Sequence, residues 1–425
     1  MSTDPPTDPR PRAHAEVAGL AGYNFLAMLR RGFFYTFLIV YLREKLGLSV
    51  SFTALIGAAN AVTSTLGQVL LWGRRSDRLD RRAGLMVTGE LIAGLGYLAT
   101  FALFRVTLHR VSPFATTMIV VGCLATIELF WSMTDVGFRA AIAQVTHAGN
   151  RGRFLGKLDF IGLGGLGLGL LLAGYLYRDG RGIEDGSIWL LAAGCILAGV
   201  PLIRATLLHL DGIVLGEAGP PANGGRPDRA FLRAMAVLAV PVLGLWSFQG
   251  IHTFFIRLSD TAAASDRDLS LIRMVFWLAG GLLAPLAGTL VDRFGSRRTY
   301  ALALLACSGI ALAFLPTRSV LYAAATLAAF GAALTLFRTA SYALTAELTP
   351  ASARGRCFAL YNAVMSLGWG VSGLLIGGPV ADLSIRAGAS VRAAYGASFV
   401  VGAGLGLAGL AVFLVTTARA RRLLT

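Results

Sequence analysis

The sequence predicts an all-α, polytopic membrane protein of twelve transmembrane helices in two similar halves. Its 425 residues are 56% hydrophobic and only 14% charged, where a soluble chain carries roughly a quarter charged residues. The surplus apolar side chains need a bilayer to face. Apolar runs long enough to cross a hydrocarbon core, which takes roughly 20 helical residues, occur twelve times. Two short polar segments also recur half a chain apart.

Residues 1–18 are polar and proline-rich and read as a disordered tail, with no apolar stretch of the signal-peptide kind. Six spans follow, at 19–41, 50–72, 83–104, 115–141, 155–177 and 187–208. Together they form a first bundle over 19–210. The Gly/Pro-rich segment 211–229 reads as a linker. A second bundle over 230–417 holds spans at 232–257, 269–291, 299–316, 319–345, 358–380 and 393–416, and 418–425 form a closing tail. The net charge of +16 would suggest nucleic acid in a soluble protein. Here the basic residues sit in short loops between apolar runs, where they set topology. Lys and Arg are about twofold more frequent on the side holding both chain ends, which predicts cytoplasmic termini in a cell membrane. Cys123, Cys195, Cys307 and Cys357 stand alone within or beside apolar runs and read as packing residues, not ligands or a disulfide framework.

The first repeated segment is Gly288-Thr289-Leu290-Val291-Asp292-Arg293-Phe294-Gly295-Ser296-Arg297-Arg298, between spans eight and nine. A degraded copy, Gly73-Arg74-Arg75-Ser76-Asp77-Arg78-Leu79-Asp80-Arg81-Arg82, lies between spans two and three. The second repeat pairs Thr146–Phe154 with Thr349–Cys357, through the shared Arg-Gly-Arg of 151–153 and 354–356. A tight turn between antiparallel helices needs glycine for close packing or positive φ. A carboxylate beside it can accept from free N–H groups at a neighbouring helix start, and arginines can bind carbonyls, lipid phosphates or a carboxylate.

With this pair of loops the chain resembles the major facilitator superfamily, whose signature occupies the loop between the second and third helices of each six-helix half. The resemblance implies two parallel bundles related by a pseudo-twofold axis along the membrane normal, and transport of a small molecule by alternating access. It also implies a latch: Asp77 would meet the start of span eleven near Arg356, and Asp292 the start of span five near Arg153. Gly73, Asp77, Arg78, Arg81 and Arg82, with Gly288, Asp292, Arg293, Gly295, Arg297 and Arg298, are the carried-over signature residues. Asp80 replaces a glycine and Arg75 an apolar residue in the first copy. The alternative reading of these charges is purely topogenic.

Ionisable groups at membrane depth point to function. In span four Glu128, Asp135 and Arg139 fall within a ~40° arc at about 100° per residue, with Trp131 beside them. Glu128, near mid-span, is expected to carry the coupling proton, or else to pair structurally with Arg139 or Arg31. The second repeat aligns Asp135 with Arg338 of span ten, which suggests an ion-pair gate. In span one Asn24, Arg31 and Tyr35 share a face, leaving Arg30 for a partner such as Glu90. Arg31 either holds an anionic substrate or keeps a proton site acidic. Asn60, Ser64 and Gln68 form a stripe on span two; span seven offers Trp246, Gln249 and His252, and span eleven Tyr361, Asn362 and Trp369. All are candidate cavity residues. By the resemblance, spans one, two, four, five, seven, eight, ten and eleven line the cavity. Gly156, Gly165, Gly169 and Gly174 of span five resemble the glycine-rich motif of drug:proton antiporters, with Leu170 where that motif has proline. The other reading is helix packing by small residues.

Other classes find no support. Gly152 to Lys157 only loosely resembles a phosphate loop and is followed by Leu158. There is no G-x-S-x-G elbow, no H-E-x-x-H and no His/Cys cluster, so neither enzyme chemistry, nor a cofactor, nor a metal site is expected. The expectation is a monomeric secondary transporter for a small organic solute, coupled to protons, with export ahead of uptake of a sugar, peptide or organic acid. A non-transporting sensor is the remaining alternative.

Overall fold

The computed structural model describes residues 10–72, 82–146, 151–208, 228–349 and 354–422. The first half holds α1 (Arg10–Glu44), α2 (Val50–Leu66, continued by a π-helical turn at Gly67–Trp72), α3 (Arg82–Thr107), α4 (Pro113–Val145), α5 (Arg151–Leu176) and α6 (Ser187–Thr206). The second holds α7 (Arg229–Ser247, resuming at Gln249–Phe255), α8 (Asp266–Phe294), α9 (Ser296–Ala313), α10 (Val320–Leu348), α11 (Arg354–Ser372, continued through Arg386) and α12 (Val391–Arg422). Eleven of these helices are long and apolar enough to cross a membrane. The twelfth is α9, whose first turn carries Arg297 and Arg298. Helix α1 starts nine residues before the expected span, inside the segment read as a tail, and α12 runs through Arg422. Alanine and arginine are strong helix formers, so both helices propagate past their apolar runs.

Local chemistry sets the helix starts. Ser49, Ser112, Asp228 and Ser319 accept from the third N–H of α2, α4, α7 and α10, the N-cap arrangement that satisfies an orphan donor. Ser265 and Asp268 form a full capping box on α8. Gly295 joins α8 to α9 at φ +81°, with open space around its Cβ position; the signature glycine there serves the turn's left-handed backbone, not packing. Gly288 also has open space around it.

The halves meet through α2 against α11 and α5 against α8. Their contacts concentrate towards the face opposite the chain ends, here the far face. A Cβ on Gly370 would come 2.1 Å from Ala61, one on Gly378 2.5 Å from Ser51, and one on Gly174 2.4 Å from Ser270. Every hydrogen bond between the halves among the described residues lies on the far face. Asp382 at the end of α11 accepts from Val50 N and Ser51 N at the start of α2, both at 2.9 Å. Arg257 forks onto Glu44 at 2.6 and 2.9 Å and also reaches Asp266 at 2.8 Å. Arg43 donates to the Tyr395 hydroxyl at 3.1 Å, and Asp179 N to Asp266 at 3.0 Å. At the other end, the terminal face, Asp292 is exposed and holds no hydrogen bond or ion pair among the described residues. The expected latch is therefore not seen there. Residues 73–81, with Asp77, lie outside the described residues, as do the side chains of Arg82 and Arg153.

Candidate functional site

The polar centre of the first half is built on Trp131 of α4. The Arg30 guanidinium carbon lies 4.1 Å from its ring centroid and that of Arg31 lies 5.0 Å from it. The indole N–H donates to the Glu90 carboxylate, which also accepts from the Tyr23 hydroxyl at 3.0 Å. Arg30 donates to the Tyr97 hydroxyl at 2.5 Å, and Tyr97 to Tyr35 at 3.2 Å. Arg30 and Glu90 are 1% and 2% exposed; this network and their proximity offset part of the cost of burying two charges, while Arg30 Nε and Nη2 stay without a hydrogen-bond partner. The expected Arg30–Glu90 partnership runs through Trp131, with no direct ion pair between them among the described residues.

In front of this centre a cavity of about 450 Å³ is lined by α1, α4 and α5, with Tyr23, Asn24, Arg31, Trp131, Asp135, Arg139 and Asp159 on its wall. Asn24 also donates to Leu158 O at 2.7 Å, tying α1 to α5. Glu128 is half-buried, surrounded by Ser64, Arg30, Arg31 and Asp135. Gln68 links the Ser64 hydroxyl at 3.2 Å to the Asp135 carboxylate at 3.3 Å. The α2 stripe thus reaches the α4 carboxylates, while Asn60 keeps a buried, unpartnered carbonyl oxygen.

Asp135 makes no ion pair with Arg338 among the described residues. Arg338, exposed on α10, is instead coupled electrostatically to Asp159 of α5. Tyr361 shares a 3.0 Å hydrogen bond with Ser341 behind Arg338, and Asn362 is exposed beside it in sequence. Trp246 and Trp369 meet edge-on at 6.5 Å, and the Trp246 indole N–H and the Gln249 amide nitrogen are buried without partners. His252, expected on the wall, is packed into the aromatic core of the second half, 4.5 Å from Phe314 and 6.4 Å from Phe399. It lies on the short helix Gln249–Phe255 that resumes after Phe248.

Three of the four span-five glycines are packing residues. Cβ atoms on Gly165 and Gly169 would come 2.4 and 2.1 Å from the carbonyl oxygens of Phe25 and Leu29 on α1, and Gly174 faces Ser270 of α8. Gly156 has nothing within 4 Å and is not one of them; it sits near the start of α5, before the helix closes on α1. Asp159 and Arg273 were not picked out from sequence. A charge inside an apolar run was the available signal, Arg273 alone in its run and Asp159 two residues after Lys157.

The model of the Major Facilitator Superfamily matches residues 20–259 and 237–424. The chain belongs to that superfamily. Among curated protein sequences none matches. Among solved structures, this superfamily member is similar to a variant of the nucleoside transporter NupG, with TM-score 0.73 and 13% identity over 94% of this chain and 99% of that one. It is also similar to the peptide transporter POT in complex with alafosfalin, with TM-score 0.71 and 13% identity over 98% and 99%. A bacterial homologue of the iron transporter ferroportin in an inward-facing state matches with TM-score 0.63 and 15% identity over 95% and 100%. At these identities the likeness shows the fold alone. As a superfamily member the chain is a multi-pass transmembrane transporter.

Proposed function

We propose that the protein moves a small organic solute by alternating access, driven by the proton gradient, with the Trp131 centre as the coupling site. The observation that carries this reading is the set of three carboxylates, Glu90, Glu128 and Asp135, at membrane depth beside Arg30 and Arg31. Carboxyl groups so placed serve proton relays, because a proton changes their charge where charge is most expensive. Glu90 is enclosed, with Tyr23 and Trp131 as donors. Glu128 and Asp135 are less enclosed, and Asp135 lines the cavity. Glu128 is the proton carrier in this reading, and Arg31 opposes it. The chain acts as a monomer in a cell membrane with both ends cytoplasmic, so the contacts on the far face would hold an inward-open state. Asp292 engages the start of α5 only when the terminal face closes.

Export is the direction suggested by the span-five glycines, although contact with α1 and α8 already accounts for three of them as packing residues. Uptake of a sugar, peptide or organic acid is the second reading. Proteoliposomes with an imposed pH gradient, screened with cationic drugs, peptides, sugars and organic acids, test both. Flux against a solute gradient that stops when the pH gradient is collapsed supports coupling, and its sign gives the direction. Flux indifferent to the gradient removes the proton from the mechanism. An intact fold with no flux favours the sensor.

A further inference from the structure

The second half holds a cation with no carboxylate partner among the described residues; its guanidinium carbon lies 5.8 Å from the Phe276 ring centroid. Arg273 of α8 has its Nε and Nη1 atoms buried without a hydrogen-bond partner, and no carboxylate among the described residues acts on its charge. Arg30 also keeps two unpartnered nitrogens, Nε and Nη2, but differs in its charge partners: Glu128 and Glu90 act on it, and Tyr97 accepts from it. Arg273 lies seven residues in from Asp266, about 10 Å below the far end of α8 at 1.5 Å per residue. It faces inward. Leu282 is 74% exposed, and nine residues at about 100° each place it on the opposite side of the helix. Met274 and Ser270 meet Gly167 and Gly174 of α5, while Phe276 and Gly280 meet Gly331 of α10. Arg273 stands at the seam between those two contacts, within electrostatic reach of His252, and the residue keeps partial exposure.

A buried guanidinium with free N–H groups and no counter-charge is costly unless an anion arrives to complete it. Its planar fork matches two oxygens of a carboxylate or phosphate. We propose that Arg273 is the docking point for an oxyanion, carboxylate or phosphate, carried by the transported solute. The solute is thereby anionic or zwitterionic, with its charged end towards the far face. This inference rests on the transport reading above and adds the substrate class.

The test uses the purified full-length protein and its R273Q and R273K variants, with binding read by shifts in the unfolding midpoint. The probes are benzoate and succinate, phenyl phosphate and inorganic phosphate, with benzamide and benzyl alcohol as neutral counterparts. At least one anionic probe is expected to bind the wild type with at least tenfold preference over its neutral counterpart. That preference is lost in R273Q and weakened in R273K. The carboxylate and phosphate arms tell which oxyanion is taken. Without probe, R273Q unfolds at or above the wild-type midpoint, since an unbalanced buried cation has been removed; if R273Q fails to fold, the R273K comparison gives the answer. No anionic preference in the wild type, or one that survives R273Q, overturns the proposal. Transport is separable from it. Flux of a neutral solute unaffected by R273Q leaves transport standing and removes the oxyanion site. Anion binding through Arg273 with no flux of any solute does the reverse.

Discussion

Arg30 and Glu90 are held one indole apart. The guanidinium carbon of Arg30 lies 4.1 Å from the Trp131 ring centroid, and the N–H on that ring's edge donates to the Glu90 carboxylate. An aromatic ring is negative on its face and positive at its edge, so the indole presents each charge with its preferred surface. The cation and anion are coupled without forming a direct salt bridge, and either can change partners without dissolving the other's contact.

This arrangement makes Trp131→Phe a selective probe. Phenylalanine keeps a ring face for Arg30 but removes the donor to Glu90. The loss of a buried hydrogen bond to a charged acceptor should lower unfolding free energy by about 1–3 kcal/mol. Trp131→Ala removes the face as well and should cost about 3–5 kcal/mol. Chemical unfolding in detergent measures both. A Phe variant as stable as the wild type would show that the indole N–H contributes nothing there.

The span-five glycines divide into two kinds, and substitution should separate them. A Cβ on Gly169 would come 2.1 Å from Leu29 O, a backbone atom that cannot swing aside. Gly169→Ala should therefore push α5 off α1 and cost about 1–3 kcal/mol, as overpacking does. Gly156 has open space around it, so Gly156→Ala should gain about 0.5–1 kcal/mol from reduced backbone freedom in the unfolded chain. Unfolding midpoints of the two variants should move in opposite directions. A shared sign would mean that α5 does not pack as described.

The frame was legible in the sequence because a twenty-residue apolar run admits few structures in a bilayer, and because two loop motifs recur at matched places. The polar face of α4 was legible from helical spacing alone. What escaped was relational. Helical periodicity gives the face a residue occupies but not what stands opposite, so Arg338 was matched with Asp135 by repeat alignment, whereas Asp159 is the acid that acts on it. His252 shares a span with Trp246 and Gln249, but its place in the chain does not tell that the ring packs into the aromatic core against Phe314. Gly156 fitted a spacing but meets no neighbour.

The far face should be opened by a single cap deletion. Asp382 accepts from the first N–H groups of α2 across the two halves. An N-cap to alanine change costs about 0.5–2 kcal/mol. Here that cost falls only on the state in which the halves touch at this face. Asp382→Ala should then shift the balance of states away from far-face closure by roughly fivefold for each 1 kcal/mol. Spin-label distances between α1 and α7 at that face should lengthen, and amide exchange over residues 50–56 should rise. Unchanged distances would make the cap a local feature of α2.

The acid that is electrostatically coupled to Arg338 can be tested without knowing the solute. Asp159 and Arg338 come from different halves and are both exposed, so their interaction is screened and modest, about 0.2–1 kcal/mol. A double-mutant cycle with Asp159→Asn and Arg338→Gln should return a coupling energy in that range, with the double variant less destabilised than the sum of the two single variants. The same cycle with Asp135→Asn and Arg338→Gln should return nearly none, because Asp135 is held by Gln68 at 3.3 Å on its own half. Both cycles also respond to state. Closing the terminal face would bring α10 towards α4 and α5, so trapping that closed state with a cross-link near Asp292 should raise the Asp135 coupling if the gate suggested by the repeat operates there. Equal couplings in the open state would place Arg338 between the two acids rather than with Asp159.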